Sequence, residues 1–217
     1  MVPAHHSTPI VMTKTFLSIC IILGLHSAAR AQGSDVSLGL KVGGSLTDVV
    51  GTDAPTYEKL FGFHGGIFAN IGIADMVAFQ PELLYSQKGA RQLRATTNPM
   101  ERDAIERLDY LNVPLALHVN AKGLFFEAGP QVGFLLAAKS KSGNASSDVK
   151  YLYNTFDFGY LAGLGYQRKE GLGIGLRYNG GFTKVEKPIE LGPALTVQNE
   201  ARNSAFQLYL TYSINGR

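Results

Sequence analysis

The sequence has little charge, one cysteine and no tryptophan. Only 17% of its 217 residues are charged, against about 25% in an average soluble domain, so the composition does not indicate a fully water-exposed surface. The formal net charge of +3 is too small to indicate a nucleic-acid partner. The sequence also contains no phosphate loop, dinucleotide fingerprint or His/Asp metal pattern. We therefore predict no nucleic acid, no cofactor and no metal ion.

The one continuous apolar run stands near the N-terminus. Residues 12–31 read MTKTFLSICIILGLHSAARA, with Lys14 before the apolar run and a small-x-small site that ends at Ala31. This pattern predicts a secretory signal peptide cleaved after Ala31, and the run is too short to span a membrane. The only cysteine, Cys20, lies inside it, so we expect the mature chain to have no disulfide, thiolate metal site or cysteine nucleophile.

This pattern also predicts the domain boundaries. Residues 1–31 are an N-terminal extension plus signal peptide, and we expect Met12 rather than Met1 to be the true start. Residues 32–217 then form one mature domain, since no low-complexity tract or proline-rich linker divides them. The alternative for the first segment is a buried N-terminal helix.

Alternation of apolar and polar residues dominates the rest of the chain. A period of two residues is typical of strands with one apolar face. The alternating runs are 10 to 15 residues long, whereas globular strands average about 5–6 residues and membrane-crossing strands need about 9–11. The length favours a membrane barrel. The eight runs are Val36–Thr47, Gly62–Ile73, Val77–Gly89, Tyr110–Asn120, Leu124–Ala138, Thr155–Gln167, Leu172–Thr183 and Ala205–Ile214.

The connections between these runs alternate between long and short. Three connections have three or four residues, and four are much longer. This pattern predicts an all-β fold: an eight-stranded antiparallel up-and-down transmembrane β-barrel with short periplasmic turns and four longer extracellular loops. Within the long connections we expect a flexible loop at Lys139–Asp148 and a short helix at Pro99–Leu108. Prolines inside predicted strands should each mark a bulge or a missing pair, and these are Pro81, Pro114 and Pro130.

Two orientations of the apolar face are possible. It could line a ligand cavity, as in a lipocalin, or it could contact lipid. The polar face carries only six charges within the strands and many glycines, which is too little charge for a water-exposed exterior and suits the crowded interior of a narrow barrel. Aromatic residues at the strand ends also suit two interfacial girdles. We therefore predict a lumen charge network of Lys41, Glu82, Lys88, Glu127, Asp157 and Arg177.

Six segments of the mature chain form a recognisable set: KVGGS (41–45), FHGG (63–66), QPELLYSQKG (80–89), YLNVP (110–114), EAGPQ (127–131) and LRYN (176–179). Together they resemble the PorT-like outer-membrane β-barrel family. The resemblance extends in order over nearly the whole mature chain, and it implies a small porin-family barrel in the outer membrane of a Gram-negative cell without implying a specific activity. Barrels of this kind carry a terminal aromatic residue that the barrel-insertion machinery reads, and here Tyr212 is followed by five more residues.

The lumen charges have two interpretations. Counted from the short turns, Glu82 and Arg177 lie about five residues in and Glu127 about three, so we expect Arg177 to bridge to Glu82 or Glu127 across the lumen. The bridge is either a structural plug or the constriction of a narrow pore, and an eight-stranded barrel is normally filled.

Two further sets of residues are candidates for chemistry or binding. The mature chain has two histidines, His64 and His118, which we expect to lie far apart, so a catalytic triad cannot be assembled and we predict no enzyme. The connection after the third run mixes both charge signs, which is typical of a solvated loop. Its arginines could instead bind lipopolysaccharide phosphates or a partner protein, and they are Arg91, Arg94, Arg102 and Arg107.

The sequence therefore predicts an integral outer-membrane barrel with a structural or interaction role: a scaffold, a binding surface or an accessory to transport. One alternative is a narrow channel for small solutes, and a second is a lipid-modifying enzyme of the outer membrane. The expected partners are outer-membrane lipid and lipopolysaccharide, the barrel-insertion machinery and an envelope protein.

Overall fold

The computed structural model describes residues 36–51, 57–92, 104–143, 145–192, 195–197 and 200–214. The chain divides into two units, residues 1–36 and residues 37–217, and every described residue except Val36 belongs to the second. The predicted signal peptide and the loop arginines Arg94 and Arg102 lie outside the described residues. Within the described ranges, no helix is both long and apolar enough to cross a membrane.

Eight long strands make up most of the described chain, and short elements lie in two of the connections. In chain order the elements are β1 (Val36–Val50), β2 (Tyr57–Ala74), β3 (Val77–Gln92), β4 (Ala104–Ala121), β5 (Leu124–Ser142), β6 (Ala145–Asp148), the 3-10 helix η1 (Lys150–Leu152), β7 (Phe156–Gln167), β8 (Leu172–Gly181), β9 (Ile189–Gly192), β10 (Leu195–Val197) and β11 (Arg202–Ser213).

The long strands close into an antiparallel barrel. Their order around the ring is β4-β3-β2-β1-β11-β8-β7-β5, and pairing of β4 with β5 completes it. The first and last strands pair from Gly39↔Ser213 to Val50↔Arg202, over twelve consecutive residues without a register shift. The predicted eight-stranded up-and-down barrel is confirmed.

The strand ends at the long-loop side differ from the prediction. β2 begins at Tyr57, and β5 continues to Ser142. The helix predicted at Pro99–Leu108 is wrong for residues 104–108, which begin β4, because they pair with both β3 and β5. The flexible loop predicted at Lys139–Asp148 is also wrong, since β5 and β6 form a hairpin there. Cross-strand hydrogen bonds outweigh local propensity at these positions.

The three strand prolines interrupt pairing without shifting the register. Pairing of β2 with β3 is absent between Phe79 and Glu82, around Pro81. A gap of the same kind interrupts the β3–β4 pairing beside Pro114, and another interrupts the β4–β5 pairing beside Pro130. Proline has no N–H to donate, so each proline marks a missing pair, as expected.

The apolar face points outward. Leu40, Val42 and Leu176 are 54%, 61% and 57% exposed, while alternate residues on the same strands are buried. Aromatic side chains contact one another on the outside near the long loops, as in the series Phe182, Tyr160, Tyr178 and Phe206. The predicted orientation is confirmed, and the lipocalin-like arrangement is not found.

Candidate functional site

The six predicted lumen charges are all buried inside the barrel. Their exposed fractions lie between 2% and 5%. The sequence alternation aims them inward, and each has a partner of opposite charge. The structure divides them into two groups. The central network contains Lys41, Glu82, Glu127 and Arg177, and the outer pair contains Lys88 and Asp157.

Arg177 is the centre of the central network. Its Nη1 and Nη2 donate to the two oxygens of Glu82 at 2.9 and 2.8 Å. Its Nε and Nη2 donate to the two oxygens of Glu127 at 2.8 and 2.6 Å. The guanidinium therefore holds two carboxylates in paired hydrogen bonds, the geometry in which arginine binds carboxylates most strongly.

Gly163 makes the Arg177–Glu127 contact possible. It lies on β7 between the two side chains, opposite Glu127 on β5 and opposite Arg177 on β8. A Cβ atom at this position would lie 2.6 Å from Oε1 of Glu127. The absence of a side chain lets Arg177 reach past one strand, which gives one of the predicted lumen glycines a specific role.

Lys41 and Tyr209 complete the central network. The Lys41 Nζ lies 2.5 Å from Oε1 of Glu82 and 4.1 Å from the centre of the Tyr209 ring. The Tyr209 hydroxyl donates to Oε1 of Glu127 at 2.8 Å. Two cations thus meet two carboxylates, so the buried charges balance, which buried ions require. The sequence analysis did not single out Tyr209, although its parity places it inside.

The outer pair lies nearer the long loops. Lys88 Nζ is 2.9 Å from Oδ2 of Asp157 and 4.8 Å from the centre of the Tyr110 ring. Asn203 Nδ2 donates to the same Asp157 oxygen at 2.9 Å. The hydroxyl of Thr183 donates to the other oxygen at 3.0 Å. Among the described residues, no hydrogen bond or ion pair joins this second neutral group to the central network.

Side chains leave little free space in the lumen. One cavity of about 20 Å³ lies on the short-turn side, lined by His118, Phe125 and Tyr209 among others. Another of about 10 Å³ lies beside the outer pair, near Lys88 and Asp157. Each volume is enough for about one water molecule. The described part of the lumen is therefore filled rather than open.

Three lumen residues have ligand atoms close enough to be considered for a metal ion. Donor atoms of Glu82, His118 and Glu127 lie within 4.8 Å of one another. The carboxylate oxygens already accept hydrogen bonds from Arg177, and Lys41 adds a second cation beside Glu82. A metal cation would have to displace both, so the donor set does not fit a metal site.

The two histidines lie in separate surroundings. His64 Nδ1 is 2.8 Å from the Ser45 hydroxyl, and both residues are buried. His118 stacks on Phe125 and places Nε2 at 3.2 Å from Glu127. His64 pairs with Ser86 and Ser86 pairs with Tyr110, so these three residues lie in one row across the strands. His118 lies eight residues further along β4 than Tyr110, so the two histidines lie at different levels of the barrel. Within the described residues, no carboxylate pairs with His64, so Ser45 and His64 lack the third member of a triad.

Two connections on the long-loop side fold against each other. Tyr153 and Val185 are buried with the inward-facing residues Leu108, Tyr110 and Leu135 in one apolar cluster. The backbones join as Tyr153 pairs with Glu186 and the Asn154 amide donates to the Val185 carbonyl. We call the segments 149–154 and 184–187 the extracellular cap. The cap and the barrel wall together make a small second core above the lumen.

The predicted surface arginines are only partly in a loop. Arg91 lies next to the last residue of β3 and Arg107 lies in β4, and both side chains are exposed. Lys139 and Lys141 of β5 share their outer face, a grouping that the sequence analysis missed. Both lysines were in the segment expected to be a flexible loop.

A comparison with protein families decides the classification. A model described as the outer membrane protein beta-barrel domain matches residues 29–187. The chain belongs to this family. No curated protein sequence matches this outer-membrane barrel significantly. Its family and fold place the barrel in the outer membrane.

Solved structures of small outer-membrane barrels are similar to this one. The barrel matches Neisserial surface protein A with a TM-score of 0.54 and 14% identity, over 83% of this chain and 99% of that one. It also matches Ail of Yersinia pestis with a TM-score of 0.46 and 14% identity, over 83% and 99% of the two chains. At these identities the likeness shows the fold alone.

Proposed function

We propose that the protein is a filled, non-conducting barrel with a structural or surface-interaction role in the cell envelope. The observation that carries this proposal is the central network, in which Arg177 spans the lumen between Glu82 and Glu127. A solute that crosses the lumen would have to separate these groups. Breaking a buried ion pair costs about 3–5 kcal/mol, and the outer pair stands as a second obstacle on the same path.

The extracellular cap supports the interaction part of the proposal. An open pore needs a wide mouth, whereas here Tyr153 and Val185 fold over the barrel wall. The cap presents Tyr151 to solvent with 70% of its surface exposed. A rigid barrel with structured external segments suits a scaffold or a binding surface.

Finer assignments belong to the same proposal. We assign the chain to the PorT-like, porin-related group because the segments at 80–89, 110–114 and 127–131 resemble it, and we assign residues 1–31 to an N-terminal extension plus a secretory signal peptide. The proposed partners are outer-membrane lipid and lipopolysaccharide, the barrel-insertion machinery and an envelope protein, with no nucleic acid. We propose no catalytic role, since Ser45 and His64 lack a carboxylate partner among the described residues.

Planar-bilayer recording tests the proposal. The purified barrel, shown to be folded by its heat-dependent gel migration, should give no steady conductance steps. The double variant Arg177→Ala/Tyr209→Ala removes two large side chains that fill the lumen. Conductance through this variant serves as the positive control that the barrel inserts into the bilayer. Defined steps from the unaltered barrel would support the narrow-channel alternative and overturn the proposal.

A further inference from the structure

Four cations gather on the outer face of the barrel beyond its apolar band. Across neighbouring strands, Arg91 lies in one row with Ile105, Lys141 and Ser146. Arg107 and Lys139 face each other in the next row. These residues line a single recess, which we call the basic recess. The barrel therefore presents four cations in two adjacent rows on one side, and one carboxylate ends each row, with Glu58 opposite Arg91 and Asp148 opposite Lys139.

These four cations form no ion pair with the carboxylates that share their rows. None of Arg91, Arg107, Lys139 and Lys141 makes an ion pair with a described carboxylate, whereas Lys184 and Arg202 do. All four side chains are exposed. Like charges directly opposite each other destabilise a strand pair, so the Arg107–Lys139 arrangement favours an anion from outside the chain.

The height of the basic recess identifies the kind of anion. On β4 the outward residues from Val119 to Leu111 are all apolar, and they extend about 27 Å along the strand at about 3.4 Å per residue. With a tilt of about 40° this is a band about 21 Å tall, close to the usual lipid-facing band of about 25 Å. Arg107 lies four residues further on, about 10 Å above Leu111 by the same geometry. The cations therefore lie at the level of the outer-leaflet headgroups.

We propose that the basic recess binds the phosphorylated headgroup of an outer-leaflet glycolipid. Two rows of cations match a headgroup that carries more than one phosphate, because each phosphate is best held by several N–H donors. Below the next row, which contains Asp109, the apolar outer face with Leu111 and Phe134 paired across β4 and β5 would contact the acyl chains of the same molecule. This inference names a site for the lipid partner of the proposed function, and it holds whether or not the lumen conducts.

The test compares lipid headgroups in reconstituted membranes. The full barrel is placed in nanodiscs of phosphatidylcholine with diphosphoryl lipid A, with monophosphoryl lipid A or with neither. The double variant Arg107→Gln/Lys139→Gln should bind diphosphoryl lipid A about 25-fold more weakly, since each cation near an anionic surface contributes about fivefold. The matched control Arg168→Gln/Lys169→Gln removes two cations at a periplasmic turn and should leave binding unchanged.

Further measurements keep the inference falsifiable. In detergent without lipid, the recess double variant should unfold at the same temperature as the unaltered barrel or above it, because a like-charge pair is removed. Loss of binding together with unchanged or raised stability separates a ligand site from a structural one. Three results would each overturn the proposal. The two double variants could lose lipid A binding equally, or the unaltered barrel could give the same binding signal in nanodiscs with and without lipid A. Inorganic pyrophosphate could also compete fully with lipid A for the recess at equal phosphate concentration.

Discussion

Arg177 of β8 and Glu82 of β3 are joined across the lumen by two hydrogen bonds of 2.9 and 2.8 Å. Their strands are separated by β2, β1 and β11 around the ring. The contact therefore links opposite parts of the wall, and its loss should be felt by the whole barrel rather than by one hairpin.

Replacing the arginine should strongly destabilise the barrel. Arg177→Ala leaves Glu82 and Glu127 buried without their main partner, and removal of one member of a buried ion pair costs about 3–5 kcal/mol. The midpoint of heat-dependent gel migration and the free energy of unfolding in urea measure the effect. Arg168→Ala, at an exposed ion pair, is the control and should change stability by less than about 1 kcal/mol. An unaltered midpoint for Arg177→Ala would show that the bridge has no structural role.

A methyl group at position 163 should disturb the same contact. Gly163→Ala places a Cβ atom 2.6 Å from Oε1 of Glu127, and overpacking of this kind costs about 1–3 kcal/mol. The control is Gly65→Ala, where the nearest atom to a new Cβ is the Lys41 carbonyl oxygen at 3.4 Å. Urea unfolding should distinguish the two variants. Equal stability of both would contradict the close-approach argument.

The two charge groups should act independently. Lys88→Met/Asp157→Asn removes the outer pair, and this pair shares no hydrogen-bond partner with Arg177. Energies of sites without shared partners add within about 0.3–0.5 kcal/mol. A double-mutant cycle that combines this change with Arg177→Lys should therefore show additive free energies of unfolding. A coupling above about 1 kcal/mol would mean that the lumen behaves as one network.

The extracellular cap should open without unfolding the barrel. Tyr153→Ala removes a buried ring from the apolar cluster and a hydroxyl that donates to Glu106 at 2.7 Å. Limited proteolysis of the reconstituted protein should then cleave the segments 149–154 and 184–187 faster, while the heat-dependent gel migration is retained. Tyr151→Ala, at an exposed neighbour, is the control and should leave cleavage unchanged. Equal protection in the Tyr153 variant would contradict a packed cap.

The sequence predicts the barrel wall well because lipid imposes a strict pattern on it. Every outward position from Leu111 to Val119 is apolar, as a lipid-facing wall requires, so apolar residues alternate with lumen residues and reveal both strand and face. Depth counted from the short turns placed Arg177 near Glu82 and Glu127, and the structure brings these three together. The alternation places Tyr209 inside, but it gives no sign that the hydroxyl of Tyr209 reaches Glu127.

The pattern fails where the strands leave the lipid. At residues 104–108 and 139–142 the outward side chains meet water, so they need not be apolar and the alternation no longer identifies a strand. Pairing with neighbouring strands decides the structure there, and that information lies far away in the chain. The sequence does not reveal the basic recess for the same reason, since Lys139 and Lys141 approach Arg107 only after β4 and β5 pair.

The uninterrupted pairing of β1 with β11 has a consequence for assembly. Prolines break the ladders among β2, β3, β4 and β5, but the seam between the ends of the domain has twelve matched pairs. A one-residue slip at this seam would turn every side chain of β11 to the wrong side, exposing Tyr209 to lipid and drawing Leu208 inward. Closure of the ring between β1 and β11 therefore selects one register and rejects slipped alignments.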